Sequence, residues 1–239
     1  MTGGGNFETT HWSLVILAGR GDSAEAHDAL DALCRTYWRP IHAYVRRHGY
    51  PPDVAQDLTQ EFFTRLLASR DLAQVDRAKG RFRSFLLASL RHFLANDWDR
   101  TQALKRGGAV EHVPWDPDAT VARSAPEPAD TLTPERVFER QWALTLLDGA
   151  LDRLQQEYAA DGRAALFDAL KGTLVGERPA THYRQIGADL GMSEGAVKVA
   201  AHRLRARYRE HIRSAIARTV ETGAQIDEEI RQLFAAFGS

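Results

Sequence analysis

The sequence predicts an all-α fold of two helical domains joined by a flexible linker, and three observations lead to that prediction. Apolar residues recur at helical spacing in almost every segment outside the middle of the chain, and no segment alternates as a strand would. Residues 107–134 contain five prolines and little periodicity, which is typical of a linker. Residues 183–209 have the pattern of a helix-turn-helix.

These signals divide the 239 residues, a length that has room for two small domains. We expect a helical domain over residues 1–106, an acidic linker over 107–133, a helix-turn-helix domain over 134–213 and an amphipathic helical extension over 214–239.

Composition excludes several classes of protein. No stretch approaches the roughly 18 apolar residues of a membrane span and no export signal is recognisable, so we expect a cytoplasmic protein without membrane insertion. The single cysteine, Cys34, favours a buried structural thiol over a disulfide or a metal ligand. We find no phosphate loop, nucleophile elbow or zinc-spaced histidine pair, and so expect no catalytic residue, metal or cofactor.

The net charge of −1 hides segments of opposite sign. Residues 77–106 carry eight Lys or Arg against two acids, and residues 178–213 carry eight against three. Residues 107–162 between them carry eleven acids against four Arg. Two basic modules around an acidic middle indicate a protein that binds nucleic acid.

The first domain begins with helices predicted over residues 29–48 and 54–67, separated by a Gly-Tyr-Pro-Pro turn. The core stripe of the second helix is Leu58, Phe62 and Leu66. Another side carries an acidic ridge, which consists of Asp53, Asp57 and Glu61 with Gln60 beside them. Because like charges at this spacing oppose a helix, the ridge indicates either a basic partner surface or a solvated face.

The third helix lies in GRFRSFLLASLRHFLANDWDR and turns Phe82, Leu86, Leu90 and Phe93 inward. Its margins mix basic, aromatic and amide side chains, which is the chemistry that tracks the phosphates and stacks on the bases of single-stranded nucleic acid. The candidate contacts are Arg83, Phe85, Arg91, His92, Asn96 and Arg100. Phe85 fits either the core or a stacking position.

The second domain is predicted to start with helices from a Thr133 cap to about residue 158 and over residues 163–174. In YRQIGADLGMSEGAVKVAAHRLRARYR, Gly191 then ends one helix and Ser193 caps the next. Val197, Ala201, Leu204 and Tyr208 form the inward face of that second helix. The candidates for contact with duplex DNA are Ser193, Glu194, Lys198, Val199, His202 and Arg203, with Arg205 and Arg207 for phosphates.

The C-terminal extension places Ile226, Ile230, Leu233, Phe234 and Phe237 on one face. We expect this face to pack on the second domain. A role in binding a partner or in self-inhibition is left open.

Together the motifs resemble those of a bacterial RNA polymerase sigma factor of the extracytoplasmic-function type. The resemblance covers about residues 29–106 and 134–213. DVAQDLTQEFF is similar to the family's core-polymerase-binding motif, the third helix to its minus-ten-reading helix, and the helix-turn-helix to its minus-thirty-five-reading motif. Here only Asp57 is kept of the acidic run that precedes Leu58 in the family, and Val199 and Ala200 replace a more polar pair in the recognition helix.

The resemblance implies a transcription initiation factor rather than an enzyme. It would bind core RNA polymerase through Asp57, Gln60 and Glu61, with Asp53 as a further candidate, and would direct the polymerase to promoter DNA. One promoter element would be read as duplex and the other as single strand, with the linker threaded through the polymerase. The alternative from the residues alone is a helix-turn-helix regulator that binds duplex operators without polymerase. Regulation by an anti-sigma factor or a kinase is left open.

Overall fold

In a computed structural model of the chain, the described residues are 17, 23–68, 82–105, 132–174, 180–218, 220 and 223–238. All regular elements among them are helices, and the described ranges contain no strand, which confirms the all-α prediction. In chain order the helices are α1 (Ala24–Arg47), α2 (Pro52–Ala68), α3 (Phe82–Lys105), α4 (Pro134–Ala160), α5 (Ala164–Leu170), α6 (Ala180–Leu190), α7 (Glu194–Ala217) and α8 (Gly223–Ala235), with a 3-10 turn (Lys171–Thr173) after α5.

The bounds of the helices follow local capping chemistry. Ser23 starts α1, because its hydroxyl accepts a hydrogen bond from the backbone N–H of Ala26 at 3.1 Å. Gly49 has a φ of 87°, which allows the chain to turn before Pro52 opens α2. Thr133 caps α4 as predicted, since its hydroxyl accepts from the N–H of Arg136 at 3.3 Å.

The described residues fall into two compact units. One contains the described residues up to Thr145 and those from Ala217 onwards, and the other runs from Leu146 to Ile216. The division lies inside α4, twelve or so residues after the boundary that the sequence suggested, because the first half of α4 packs with α1 and α3. The predicted linker lies outside the described residues, except for Leu132 and Thr133.

The core of the first unit is aromatic and aliphatic, and α3 is central to it. Phe82, Leu86 and Leu90 are fully buried, as their helical spacing predicted. Phe82 meets Tyr37 of α1 edge to face, with ring centroids 5.3 Å apart, and Phe93 meets Phe62 of α2 at 5.6 Å. These contacts fix α3 against α1 and α2.

The second unit has its own core, built by α4 to α7. Its buried residues are Leu154, Tyr158, Phe167, Leu170, Tyr183, Ile186, Val197, Ala201 and Leu204. Tyr208, the fourth residue of the predicted inward face of α7, packs partly buried against this cluster. Each of the helices α4 to α7 thus contributes to one shared apolar core.

The C-terminal helix α8 differs from the prediction. It belongs to the first unit, whereas we expected it to pack on the second domain. It buries Glu229 and Leu233, while Phe234 is 61% exposed and Phe237 39% exposed. Glu229 and Leu233, which are four residues apart, lie on the inward side of the helix, and Glu229 pairs there with a buried arginine of α3.

None of the helices in the described ranges combines the length and apolarity needed to cross a membrane.

Candidate nucleic-acid interface

The turn between α6 and α7 is three residues long and tightly constrained. Gly191 ends α6 with a φ of 65°, in the left-handed region that glycine adopts without strain. The N–H of Met192 then donates to the carbonyl of Gly187 at 2.8 Å. A Cβ on Gly187 would lie 2.6 Å from the carbonyl oxygen of Met192, so the turn closes directly over this glycine.

Helix α7 presents two chemically different sides. Its start is capped by Ser193, whose hydroxyl accepts from the N–H of Ala196 at 3.2 Å. Val197, Ala201 and Leu204 are buried, as predicted. The opposite side brings together four of the predicted DNA contacts in exposed positions, namely Lys198, Val199, His202 and Arg203. Val199 is 51% exposed, so an apolar group lies at the centre of a basic surface.

Glu194 is the one acid among the predicted duplex contacts, and it is held by two cations. Its carboxylate lies 2.7 Å from the ammonium of Lys198 and 3.4 Å from Nε of Arg184. The bond from Lys198, followed by its charge, lowers the pKa of Glu194. Lys198 is therefore partly neutralised in the free protein.

Two predicted phosphate contacts have structural roles in the second unit. Arg205 donates to the carbonyl of Thr173 at 2.9 Å and to the hydroxyl of Tyr183 at 2.8 Å, which ties α7 to the 3-10 turn and to α6. Arg207 donates through two nitrogens to Glu157, each at 2.9 Å, and also pairs with Glu210. Glu157 has a lowered pKa, chiefly because of Arg207. Arg205 is therefore held by contacts within the second unit, whereas Arg207 is paired with acids but keeps a side chain that is 46% exposed.

Helix α3 keeps a separate polar side in the first unit. His92, Asn96 and Arg100 follow one another at intervals of four residues and are exposed. Arg100 pairs with Asp97 on its own helix and lies 3.8 Å from Glu61 of the acidic ridge. Phe85 is partly buried, with its ring 6.2 Å from that of Phe82, so its edge remains at the surface.

The sequence placed Arg83 among the candidate DNA contacts at the margin of α3, but in the structure this residue is buried. Its side chain is only 5% exposed, and its guanidinium lies 3.0 Å from Glu229 and 3.1 Å from Glu139. It stacks over the ring of Trp142, 4.1 Å from the ring centroid. Arg83 is therefore unavailable to DNA in this conformation, which corrects its assignment as an open contact. The cause is the convergence of α4 and α8 on the start of α3.

Arg91 is half exposed but is also held by an acid. Its guanidinium lies 2.6 Å from Glu135 of α4, which also accepts a hydrogen bond from the hydroxyl of Tyr44 at 3.4 Å. Partial burial is the largest single influence on Glu135 and opposes its ionisation. The hydrogen bonds from Arg91, from the backbone and from Thr133, together with the charge of Arg91, outweigh it, so the pKa of Glu135 is lowered.

The acidic ridge of α2 remains at the surface. Asp53, Asp57 and Gln60 are exposed, and Glu61 is partly exposed. Glu61 pairs with Arg65 one turn further along the helix. The ridge therefore presents two exposed carboxylates at its N-terminal end and a paired one at its C-terminal end.

Sequence reasoning missed the acids that hold the α3 arginines. Glu135 and Glu139 were counted only as part of an acidic middle segment, although their spacing of four residues places them on one side of α4. Glu229 stands between Ile226 and Leu233 on the apolar face of its helix, and an acid in that position is a detectable signal of a buried partner. The described ranges contain no group of three or more His, Cys, Asp or Glu residues placed to hold a metal ion.

The assignment of this surface depends on its own residues. Comparisons with models of known protein families, with curated proteins and with solved structures find no match for this chain.

Proposed function

We propose that this protein is a sigma-type transcription initiation factor that binds core RNA polymerase and directs it to promoters. The observation that carries the proposal is the outer side of α7, where Lys198, Val199, His202 and Arg203 are exposed beyond a tight, glycine-closed turn. Helices α6 and α7 with this turn would act as a helix-turn-helix. Two domains would thus read promoter DNA in two different states.

The duplex-reading role is supported by the size and charge of the α7 surface. A single helix fits the major groove, and its first turns meet the base edges. Lys198 and Arg203 can donate to base acceptors or phosphates, His202 adds a further donor, and Val199 can contact a thymine methyl group. Ser193 and Glu194 stand at the start of the same helix and would lie nearest to the groove in this mode of binding.

The first unit supports the single-strand and polymerase roles. The exposed side of α3 offers His92, Asn96 and Arg100, with Phe85 at its edge, for bases and phosphates. The ridge residues Asp53, Asp57, Gln60 and Glu61 are accessible to a basic partner. In this proposal they dock on the polymerase, which performs all bond making.

One observation favours the second candidate, a regulator that binds duplex operators without polymerase. Arg83 is buried and Arg91 is paired, so the first unit offers fewer open cations to a single strand than the sequence suggested. This candidate uses α7 in the same way but gives α2 no role.

Run-off transcription separates the two candidates. The purified protein is mixed with bacterial core RNA polymerase and with DNA from upstream of its own gene. Promoter-specific transcripts that require the protein are expected. Specific binding to the duplex without transcripts would favour the regulator. The absence of both binding and transcripts would exclude both candidate functions.

A further inference from the structure

Carboxylates from other parts of the chain pair with two arginines of α3, and so occupy positions that nucleic-acid phosphates could take. Arg83 and Arg91 stand eight residues apart, which places them on the same side of α3 about two turns from each other. Each is met by a carboxylate from elsewhere in the chain: Glu229 and Glu139 for Arg83, and Glu135 for Arg91. The oxygens lie at 3.0, 3.1 and 2.6 Å from the guanidinium nitrogens.

The Arg91–Glu135 contact of 2.6 Å is a charge-assisted hydrogen bond of the kind that an arginine also makes with a phosphate oxygen. Arg83 lies within ion-pair distance of its two carboxylates, although its Nε and Nη1 make no hydrogen bond to the described residues. A nucleic-acid strand approaching this side of α3 would meet cations that are already paired with acids. Gln232 adds a further acceptor, since its side-chain oxygen lies 2.6 Å from Nη2 of Arg83. Bare electrostatic attraction to a single strand is therefore reduced wherever these contacts persist.

We propose that Glu135, Glu139 and Glu229 form an internal acidic cover that occupies Arg83 and Arg91 in the free protein and leaves them when single-stranded DNA binds. The inference rests on the proposed function, because it concerns two arginines of α3 that the sequence assigned to single-strand contact. They lie on the side of α3 that meets α4, roughly opposite His92, Asn96 and Arg100, so a single strand would have to reach a second side of this helix. It gives α8 a definite task, which is to hold the buried end of the cover in place.

The two halves of the cover differ in how they open. The Arg91–Glu135 pair is exposed on one side, so it can exchange its carboxylate for a phosphate by side-chain rotation. Arg83 and Glu229 are both almost fully buried, so separating this pair inside the fold is costly unless α8 itself moves away. Binding at Arg83 is thus coupled to undocking of α8.

A double-mutant cycle on the exposed Arg91–Glu135 pair tests the cover while leaving the buried contacts of the fold unchanged. The probe is fluorescently labelled oligo(dT) of about 12 nucleotides, within the range that one single-strand site binds. Glu135→Gln should tighten binding by about three- to five-fold, because an exposed ion pair is worth up to about that factor. In an Arg91→Gln background the same substitution should give no gain.

The matched control is Asp31→Asn, which removes one charge from an exposed Asp–Arg pair on α1 of the same unit. The affinity of this variant for oligo(dT) should stay within about two-fold of that of the unmodified protein. An equal gain in affinity for Asp31→Asn, or for Glu135→Gln in the Arg91→Gln background, would show a general charge effect and would contradict the proposed cover. The absence of any gain in affinity for Glu135→Gln would contradict it as well.

Hydrogen exchange on the unmodified full chain tests the buried half. Amides of α8 should exchange faster when oligo(dT) is saturating, because the bound strand displaces Glu229 from Arg83. Unchanged or slower exchange in α8 would overturn its part in the cover. If these tests fail while the unmodified protein directs promoter-specific transcription, only the cover is lost; if transcription and oligo(dT) binding both fail, the proposed function fails with it.

Discussion

At the scale of single residues, two glycines near the α6–α7 turn have opposite surroundings. Gly187 lies under the carbonyl of Met192, whereas a Cβ on Gly195 would meet nothing within 4 Å. The sequence pointed to Gly191 because it stands at a helix end, where a left-handed residue is common. The need for glycine at position 187 could not be predicted, since it depends on how closely the turn folds back.

Gly187→Ala should therefore destabilise the second unit, by about 1 to 3 kcal/mol, because the new methyl group forces the turn backbone to shift. Gly195→Ala is the matched control and should stabilise by about 0.5 to 1 kcal/mol through helix propensity. Urea unfolding of both variants gives the comparison. Equal effects of the two substitutions would contradict the close approach at Gly187.

His48 makes stability depend on pH. It is 2% exposed and packs on the ring of Tyr44, with centroids 4.6 Å apart. Burial lowers its pKa from 6.5; the nearby Glu135 opposes that shift and Arg91 adds to it. Since the unfolded chain takes up a proton more readily, stability is full above about pH 6.5 and falls as the pH drops through the lower folded-state pKa.

We expect the free energy of unfolding to decrease between pH 7 and pH 5, and His48→Phe to reduce this slope. The measurement is chemical denaturation at a series of pH values, taken as the difference between the variant and the unmodified protein. His202→Phe, at an exposed position on α7, serves as control. A difference curve that stays flat for His48→Phe would exclude His48 as a source of the pH dependence.

At the scale of elements, the helices were the most predictable part of the chain. Leu58, Phe62 and Leu66 of α2 are buried at the positions that their spacing indicated, and the Ser193 cap formed as predicted. These features depend on residues within one or two turns of each other. Contacts across the fold were not predictable: Arg83 and Glu229 are far apart in sequence, and nothing local specifies their pairing.

Helix α2 carries the predicted docking ridge. Asp57→Lys combined with Glu61→Lys should abolish co-purification with core RNA polymerase, because two attractive charges become repulsive at a desolvated contact. The matched control is Asp28→Lys with Asp31→Lys, which makes the same charge change on exposed positions of α1. Retention of the complex by the ridge variant would refute the docking assignment.

Helix α7 carries the predicted duplex contacts. Lys198→Ala should cost about 1 to 3 kcal/mol and change sequence preference if Lys198 reads a base, or lower the salt slope by about one if it contacts a phosphate. Anisotropy on promoter duplex over a range of salt concentrations distinguishes the two. Lys171→Ala, in the same unit but outside α7, is the control, and identical binding by both variants would exclude α7 as the contact.

At the scale of the whole molecule, charge is organised by pairing as well as by segment. The chain has a net charge of −1, yet the α3 arginines meet acids from α4 and α8 in the first unit, and the α7 cations meet Glu157 and Glu194 in the second. The count of charges along the chain identified the basic and acidic segments. It could not identify the pairs, because pairing depends on which segments the fold brings together.

The second unit should fold without the first. Its core, from Leu154 to Leu204, uses no residue outside 146–216. A fragment of residues 146–216 is expected to be helical by circular dichroism and to unfold in one cooperative transition. It should also bind promoter duplex with the specificity of the full chain. A fragment that lacks a cooperative transition would show that the first unit is needed for its fold.

Under the proposed function, the pairing of Arg91 with Glu135, a contact of 2.6 Å, would affect how the protein searches a chromosome for its promoters. A genome offers on the order of a million or more competing sites for any cationic surface, and non-specific attachment to them lowers the concentration of free protein. An arginine that is already bound to a carboxylate contributes little to such attachment. The protein would thereby keep its single-strand contacts in reserve until a melted promoter, held open by the polymerase, offers phosphates and bases together.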